Sequence, residues 1–210
     1  MSILDQIASS QGRRDQAPNQ ALARELAESR DKQAIQELAE NLWNKDRNTR
    51  GDCLKVLYEI GYLAPELIAD YAVEFIKLLT DKNNRLVWGG MIALSTVATI
   101  RADAIFPHIE EIERVTSQGS VITRDAGIRV LAGVASANDA HRQTIFPFLL
   151  DHLGTCRPKE VPQHAESVLI AVDAGTRNDF VQILEGRIPE MSGSGAARLR
   201  KALREVKRQA

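Results

Sequence analysis

Residues 130–135 read VLAGVA, and similar segments recur along the chain as VLYEIG at 56–61, ALSTVA at 93–98 and VLIAV at 168–172. The leucines in the second position of these segments are spaced 37, 37 and 38 residues apart, and they are Leu57, Leu94, Leu131 and Leu169. Self-similarity at a period of this length is typical of repeat proteins, in which one small unit stacks on the next.

The units are predicted to be helical. Apolar residues recur at helical spacing, whereas alternating β-branched runs bounded by Asn-Gly or Asp-Gly turns are nearly absent. Polar residues suited to helix N-caps are Asn19, Asp31, Asp103 and Asn138. Helices are expected at roughly 2–10, 20–29, 32–44, 48–61, 65–80, 84–99, 103–116, 121–136, 140–153, 162–174, 177–187 and 195–208. The sequence therefore predicts an all-α fold with two helices in each unit.

A column of small residues lies four positions before the recurring leucines, and its members are Cys53, Gly90, Gly127 and Ala165. Glycine inside a helix costs about 1 kcal/mol relative to alanine. Two glycines at one repeat position therefore predict a close crossing of helices, with contact to a ligand as the alternative.

Residues 46–57 and 124–131 resemble the HEAT repeat of the armadillo-like superfamily. In that family a unit begins with an Asp-containing turn and has an Arg seven residues before the leucine, which Arg50 and Arg124 match. Val87 and Pro162 replace this Arg in two units, so an Asp–Arg ladder along the array would be interrupted.

The second helix of the family's unit carries an apolar-apolar-Pro pattern that recurs at Pro107 and Pro147. The resemblance covers about residues 20–190, and it is strongest to bacterial HEAT-repeat proteins of unknown function. It implies a right-handed α-solenoid of about five HEAT-like helical hairpins with N- and C-terminal capping helices. The expected divisions are a helix and polar connector at 1–18, the repeat array at 19–190 and a basic capping helix at 191–210.

Composition and charge exclude several classes of protein. The 210 residues include 27 Lys and Arg against 28 Asp and Glu, so the chain is not a polycation. We identify no secretory signal, and the longest uncharged stretch, residues 86–100, is shorter than the about 20 residues of a membrane span. The two cysteines, Cys53 and Cys156, form no CxxC motif, which predicts no disulfide framework, no zinc site and a cytoplasmic location.

Motifs of catalysis are missing from the sequence. GxSxG and the glycine-rich phosphate loops do not occur, and none of the four histidines is followed by the Glu that HEAT-type di-iron hydroxylases carry. His108 and Glu111 stand three apart on one predicted helix, but a single such pair is a weak metal motif. His152 is predicted to be a partly buried, hydrogen-bonded core residue. We therefore predict a non-enzymatic protein without a metal or cofactor.

An acid recurs in the second helix of four units, and we call these residues, Glu37, Glu74, Glu111 and Asp151, the acidic row. They lie about 120° from the apolar stripe on a helical wheel and should be exposed. In HEAT solenoids the second helices line the concave surface, so the resemblance implies an acidic groove that would attract a basic peptide or protein segment. The alternative is an ordinary solvated face.

Two further surface features are predicted. Trp88 and Ile92 lie off the apolar stripe of their helix, which indicates either a contact patch or a wedge between repeats. Basic residues near the starts of the first helices could form an edge for phosphates, and they include Arg50, Arg85, Arg124 and Lys159. The predicted last helix carries six basic residues against Glu205, which suits a solvated cap or a contact with nucleic acid or membrane.

The predicted function is a protein-binding scaffold that uses the concave face of a HEAT-like solenoid, with a protein or peptide partner and no membrane partner. The alternative is a nucleic-acid-binding protein similar to the HEAT-like alkylpurine DNA glycosylases, although that family's active-site residues have no match at positions of this chain. A third class, the HEAT-repeat bilin lyases, has no support at specific residues.

Overall fold

A computed structural model describes residues 2–208, and regular structure in that range is entirely helical. The α-helices are α1 Ala17–Ser29, α2 Lys32–Glu40, α3 Arg47–Leu63, α4 Ala72–Lys77, α5 Asn84–Val97, α6 Ala102–Ile105, α7 Ile109–Gln118, α8 Val121–Ala135, α9 Asp139–Thr155, α10 Val161–Val168, α11 Arg177–Arg187 and α12 Gly193–Arg208. Short 3-10 helices are Ile3–Gln6, Asn41–Trp43, Pro65–Leu67, Ala69–Tyr71, Leu78–Thr80, Phe106–His108, Leu169–Ala171 and Ile188–Glu190.

The helices form two layers. In the first layer, α1, α3, α5, α8, α10 and α12 pack side by side in chain order. The second layer contains α2, α4, the pair α6–α7, α9 and α11, and its members also pack against the first helix of the next unit. This array confirms the predicted all-α solenoid. No helix within residues 2–208 has the length and apolar character that a bilayer crossing requires.

The recurring leucines belong to the hydrophobic core or pack against it. Leu57, Leu94 and Leu131 are fully buried, whereas Leu169 is half-buried. The fourth unit differs because α10 ends at Val168 and a 3-10 turn follows it. The hydrophobic register is therefore uniform in the first three of these units and loosens at the last.

The glycine column marks close helix crossings, as predicted. A Cβ atom added to Gly90 would lie 3.0 Å from the carbonyl oxygen of Phe75. A Cβ atom added to Gly127 would lie 2.0 Å from Oγ1 of Thr116 on α7. Each glycine thus lets a helix of the second layer approach the backbone of the first layer.

Several predicted helices are shortened or broken in the structure. The helix expected at 2–10 is a single 3-10 turn, Ile3–Gln6, and the helix expected at 162–174 ends at Val168 and is followed by the turn Leu169–Ala171. The helix expected at 65–80 consists of 3-10 turns around the short α4, and the helix expected at 103–116 is interrupted by the turn Phe106–His108. Pro107 has no amide hydrogen to continue the helical bonds. The equivalent Pro147 lies inside the continuous α9, so the same residue type has a different outcome in the next unit.

Two of the four expected N-caps are confirmed. Asp31 accepts hydrogen bonds from the amides that begin α2, and Asn138 caps α9 through the amide of His141. Asp103 lies inside α6 instead of before it. Asn19 is buried inside α1, where its Oδ1 accepts from the Ala8 amide at 2.9 Å and its Nδ2 donates to Asp52 at 2.9 Å. The side chain of Asn19 therefore anchors the N-terminal segment and caps no helix.

The C-terminal helix seals the array. Its apolar stripe is buried against the last unit, with Ala196, Leu199, Leu203 and Val206 as its members. Arg198 makes two hydrogen bonds to Glu166 at 2.9 and 2.6 Å, and Lys207 bonds Glu185 at 2.8 Å. The helix begins at Gly193, two residues before the start that the sequence predicts.

Candidate functional site

All four members of the acidic row lie in the second layer. Glu37 is on α2, Glu74 on α4, Glu111 on α7 and Asp151 on α9. Asp151 is exposed, whereas the other three side chains belong to half-buried residues. The repeat spacing thus places these carboxylates on corresponding helices, but their immediate surroundings differ.

Two members of the row have local partners. Glu37 accepts hydrogen bonds from the Ser2 hydroxyl and, at 3.4 Å, from the Ile3 amide, so it holds the N-terminal 3-10 turn. Glu111 lies 3.6 Å from the guanidinium of Arg114, one turn along α7. The carboxylate of Glu111 is therefore paired with an arginine on its own helix.

Glu74 joins two neighbouring units. It accepts a hydrogen bond from the indole Nε1 of Trp43 at 3.0 Å and pairs with Lys77 at 2.7 Å. The ammonium of Lys77, together with the indole donor, lowers the pKa of the Glu74 carboxyl below its usual value. Trp43 remains 47% exposed, and the guanidinium carbon of Arg50 lies 5.9 Å from its ring centroid. Trp43 was not among the predicted site residues. It ends the 3-10 turn that follows α2, one unit before the helix that carries Glu74.

The predicted patch around Trp88 needs correction. Ile92 is only 8% exposed and belongs to the core, so it is not part of a surface patch. Trp88 is half-buried, and its ring centroid lies 6.4 Å from that of Tyr58 in the preceding unit. Tyr58 in turn contacts the ring of Tyr62, which is 56% exposed. The indole therefore packs between repeats, and Tyr62 is the exposed member of this aromatic group.

Three of the four residues of the proposed phosphate edge face carboxylates. Arg50 bonds Asp81 of the next unit at 2.6 Å, Arg124 lies 3.7 Å from Glu160, and Arg85 lies 3.8 Å from Asp52. Lys159 is exposed. These arginines connect neighbouring repeats, so they are poorly placed to offer unpaired charge to a nucleic acid.

A cluster that the sequence did not predict lies at the junction of α8, α9 and α10. His152 and Cys156 are four residues apart at the end of α9, and His164 is on α10. One ligand atom from each residue lies within 4.8 Å of the other two. The i, i+4 spacing of His152 and Cys156 was the available sequence signal, since such residues share a helix face.

Hydrogen bonds connect the cluster to Asp125 on α8. Nε2 of His152 and Nδ1 of His164 are 2.9 Å apart, and Nε2 of His164 is 2.9 Å from Oδ1 of Asp125. His164 is fully buried and His152 is partly buried, as the sequence predicted for His152. Burial, reinforced by His164, lowers the pKa of His152 to about 4. Burial raises the pKa of the Cys156 thiol to about 11, so this thiol is not an activated nucleophile.

A cavity of about 690 Å³ opens beside the cluster. Its lining includes His152 and Cys156 together with Asp151 of the acidic row. Arg124, Arg157 and Glu160 line the same cavity, and Arg157 hydrogen-bonds Glu160 and lowers the pKa of that carboxyl. The cluster is therefore reachable from a polar surface opening.

Comparisons with known proteins identify the fold. No protein-family model matches the chain, and no curated protein is significantly similar to it in sequence. An engineered protein of known structure aligns over 99% of this chain and 97% of its own, at 18% identity and a TM-score of 0.67. A designed armadillo repeat protein in complex with the peptide (KR)4 aligns over 96% of this chain and 98% of its own, at 13% identity and a TM-score of 0.64.

The structure of Kap121p bound to Pho4p aligns over 90% of this chain but only 21% of the larger protein, at 14% identity and a TM-score of 0.63. These likenesses extend over nearly the whole chain and rest on structure with little sequence identity. They agree with the two-layer stacking of the helices. The chain has the armadillo/HEAT-repeat α-solenoid fold.

Proposed function

We propose that this chain is a non-enzymatic scaffold whose second layer binds a basic peptide or protein segment. The observation that carries the proposal is the placement of Glu74, Glu111 and Asp151 on successive second-layer helices, with the half-exposed Trp43 beside Glu74. Carboxylates repeated along an extended surface attract a partner with repeated positive charge. A tryptophan at such a surface is a favourable anchor because it buries a large apolar area.

Two proteins of the same fold support this class of function. One is the designed armadillo repeat protein in complex with (KR)4, and the other is Kap121p bound to Pho4p. Because one fold can carry many functions, the argument for this chain rests on its own carboxylates and not on the likeness. We place the scaffold in the cytoplasm, since both cysteines are free thiols, which suits a reducing compartment.

A peptide titration tests the proposal. The probe is a fluorescently labelled peptide of alternating Lys and Arg, and the variant is Glu74→Gln, Glu111→Gln and Asp151→Asn together. Glu37 is left unchanged because it holds the N-terminal turn. We expect binding by the parent chain and at least a tenfold loss of affinity in the variant, since about 1.4 kcal/mol corresponds to each factor of ten.

A matched control distinguishes the effect of the acidic row from the effect of the overall net charge. The variant Glu25→Gln, Glu28→Gln and Glu205→Gln removes the same number of charges from exposed positions on α1 and α12. We expect its affinity to stay within twofold of the parent at the same salt concentration. Equal losses in the two variants would show a general charge attraction and refute a role for the acidic row.

The nucleic-acid alternative lacks comparable support, because Arg50, Arg85 and Arg124 face carboxylates of neighbouring units. Phosphate contacts are strong at low salt, so a gel shift at about 50 mM salt is a sensitive check. We expect no shift of duplex or single-stranded DNA under that condition.

A further inference from the structure

We propose that His152, Cys156 and His164 form a binding site for a zinc-type transition-metal ion. This inference is independent of the proposed peptide binding, because none of its residues belongs to the acidic row: His152 and Cys156 are half-buried and His164 is fully buried. Two imidazoles and a thiolate are a donor set typical of zinc. Calcium and magnesium prefer oxygen ligands, so this set disfavours them.

Rotation of half-buried side chains would bring the three ligand atoms to the separations that an ion requires. A tetrahedral zinc ion with bonds of about 2.0 Å to nitrogen and about 2.3 Å to sulfur separates its ligand atoms by about 3.3–3.6 Å. The two imidazole nitrogens are 2.9 Å apart, and all three ligand atoms lie within 4.8 Å of one another. The nitrogens would need to move apart by a few tenths of an ångström, and the sulfur would need to approach by up to about 1.3 Å, through rotation of the half-buried His152 and Cys156 side chains.

Asp125 orients the buried ligand. Its Oδ1 lies 2.9 Å from Nε2 of His164, which assigns the proton to that nitrogen, so that the lone pair of Nδ1 points toward His152 and the cluster. A carboxylate behind a ligating histidine is a common outer partner in metal sites, where it fixes the ring and increases its basicity. This carboxylate comes from α8, one unit before the histidine, so the site spans a repeat junction.

The backbone that carries Cys156 is also held in place. The guanidinium of Arg187 donates hydrogen bonds to the carbonyls of Leu153, Gly154 and Cys156, at 3.1 Å for Leu153 and 2.6 Å for Cys156. These bonds fix the C-terminal end of α9, which carries His152 and is directly followed by Cys156. A preorganised site of this kind loses little conformational freedom when an ion binds.

The exchange of protons on binding is simple. Zinc displaces the thiol proton of Cys156, which leaves to solvent through the adjacent cavity as the sulfur–zinc bond forms. His152 changes tautomer: its Nε2 releases the proton that it donates to His164, its Nδ1 takes up a proton from solvent, and the ring stays neutral with Nε2 able to bind the ion. The cavity beside His152 and Cys156 gives the ion an entry path and leaves room for a fourth ligand.

Metal titration of the full chain tests the site. The protein is first stripped with a chelator under reducing conditions and then titrated with Zn²⁺ against a chromophoric competitor and, separately, with Co²⁺. We expect one zinc per chain, a higher melting temperature with zinc, and a near-ultraviolet cobalt–thiolate charge-transfer band. Cys156→Ser should abolish that band, whereas Cys53→Ala, which removes the other thiol, should retain it.

A second variant tests the site even if Cys156→Ser fails to fold. Asp125→Asn leaves all three ligands intact, and we expect it to weaken zinc binding about 10–100-fold. His108→Ala, outside the cluster, should leave zinc affinity unchanged. The proposal is overturned if the parent chain binds no stoichiometric zinc. It also fails if cobalt gives no thiolate band and zinc binds Asp125→Asn as tightly as it binds the parent chain, which would indicate adventitious binding to other histidines.

Discussion

The Gly127 crossing gives the sharpest test of the packing argument. A Cβ atom at this position would lie 2.0 Å from Oγ1 and 2.9 Å from Cβ of Thr116, so Gly127→Ala cannot be accommodated by rotating the Thr116 side chain alone. Overpacking of this kind costs about 1–3 kcal/mol, whereas alanine gains about 1 kcal/mol over glycine in a helix. We expect a net loss of up to about 2 kcal/mol in the free energy of unfolding.

Gly186→Ala is the matched control, because Gly186 also lies in a helix but a Cβ atom there would meet nothing within 4 Å. It should raise the free energy of unfolding by up to about 1 kcal/mol, so the two glycines should give opposite signs. Urea unfolding followed by circular dichroism measures both. In a Thr116→Ala background the cost of Gly127→Ala should shrink, since the nearest atom is gone. If Gly127→Ala is as stable as Gly186→Ala, the close-crossing argument is wrong.

Three further predictions concern polar contacts between units. Asp52 accepts from the Ser9 amide at 2.8 Å and from Asn19 at 2.9 Å, so Asp52→Ala should destabilise the chain by about 1–3 kcal/mol, with hydrogen exchange accelerated first near Ser9. Arg187→Ala should cost about 2–4 kcal/mol in urea unfolding, because it leaves several carbonyls at the end of α9 unpaired, and Arg187→Lys should restore only part of this loss. Although burial opposes the effect, hydrogen bonds from the loop amide and the neighbouring arginine lower the pKa of Asp81 below 3.8. Its stabilising contribution is therefore present above 3.8 and lost as the pH falls below it, and Asp81→Asn should show a shallower acid-induced drop in melting temperature.

The sequence predicted the fold because the fold depends on contacts that repeat. The period of Leu57, Leu94 and Leu131 and the glycines of the same units report packing that is nearly identical from one unit to the next. Where the structure of one unit differs from that of the others, the repeat pattern does not predict the difference. Pro107 breaks its helix and Pro147 does not, and the local sequences Phe-Pro-His and Phe-Pro-Phe do not reveal which outcome each surrounding favours.

The candidate sites were harder to predict because they depend on pairs from different units. The hydrogen bond from Trp43 to Glu74 joins residues 31 positions apart, and the bond from His164 to Asp125 joins residues 39 positions apart. Repeat spacing located Glu74 because it recurs, but it could not indicate a partner that does not recur. Ile92 was misplaced for the same reason, since its burial depends on neighbours that its own unit does not specify.

Departures from the repeat pattern single out the junction of α8, α9 and α10, where polar and metal-ligating side chains cluster. The position five residues before each recurring leucine is occupied by Asp52, Gly89, Ala126 and His164 in turn. The inner two are small, as close packing requires, whereas Asp52 and His164 are buried polar residues that hydrogen-bond the preceding unit. Asp52 has a structural explanation, since it fastens the N-terminal segment. His164 bonds a second histidine in addition to Asp125 and lies beside a thiol, an arrangement that fastening alone does not require. Consistent local rules are typically broken at functional positions, so this junction is where we expect a function beyond scaffolding.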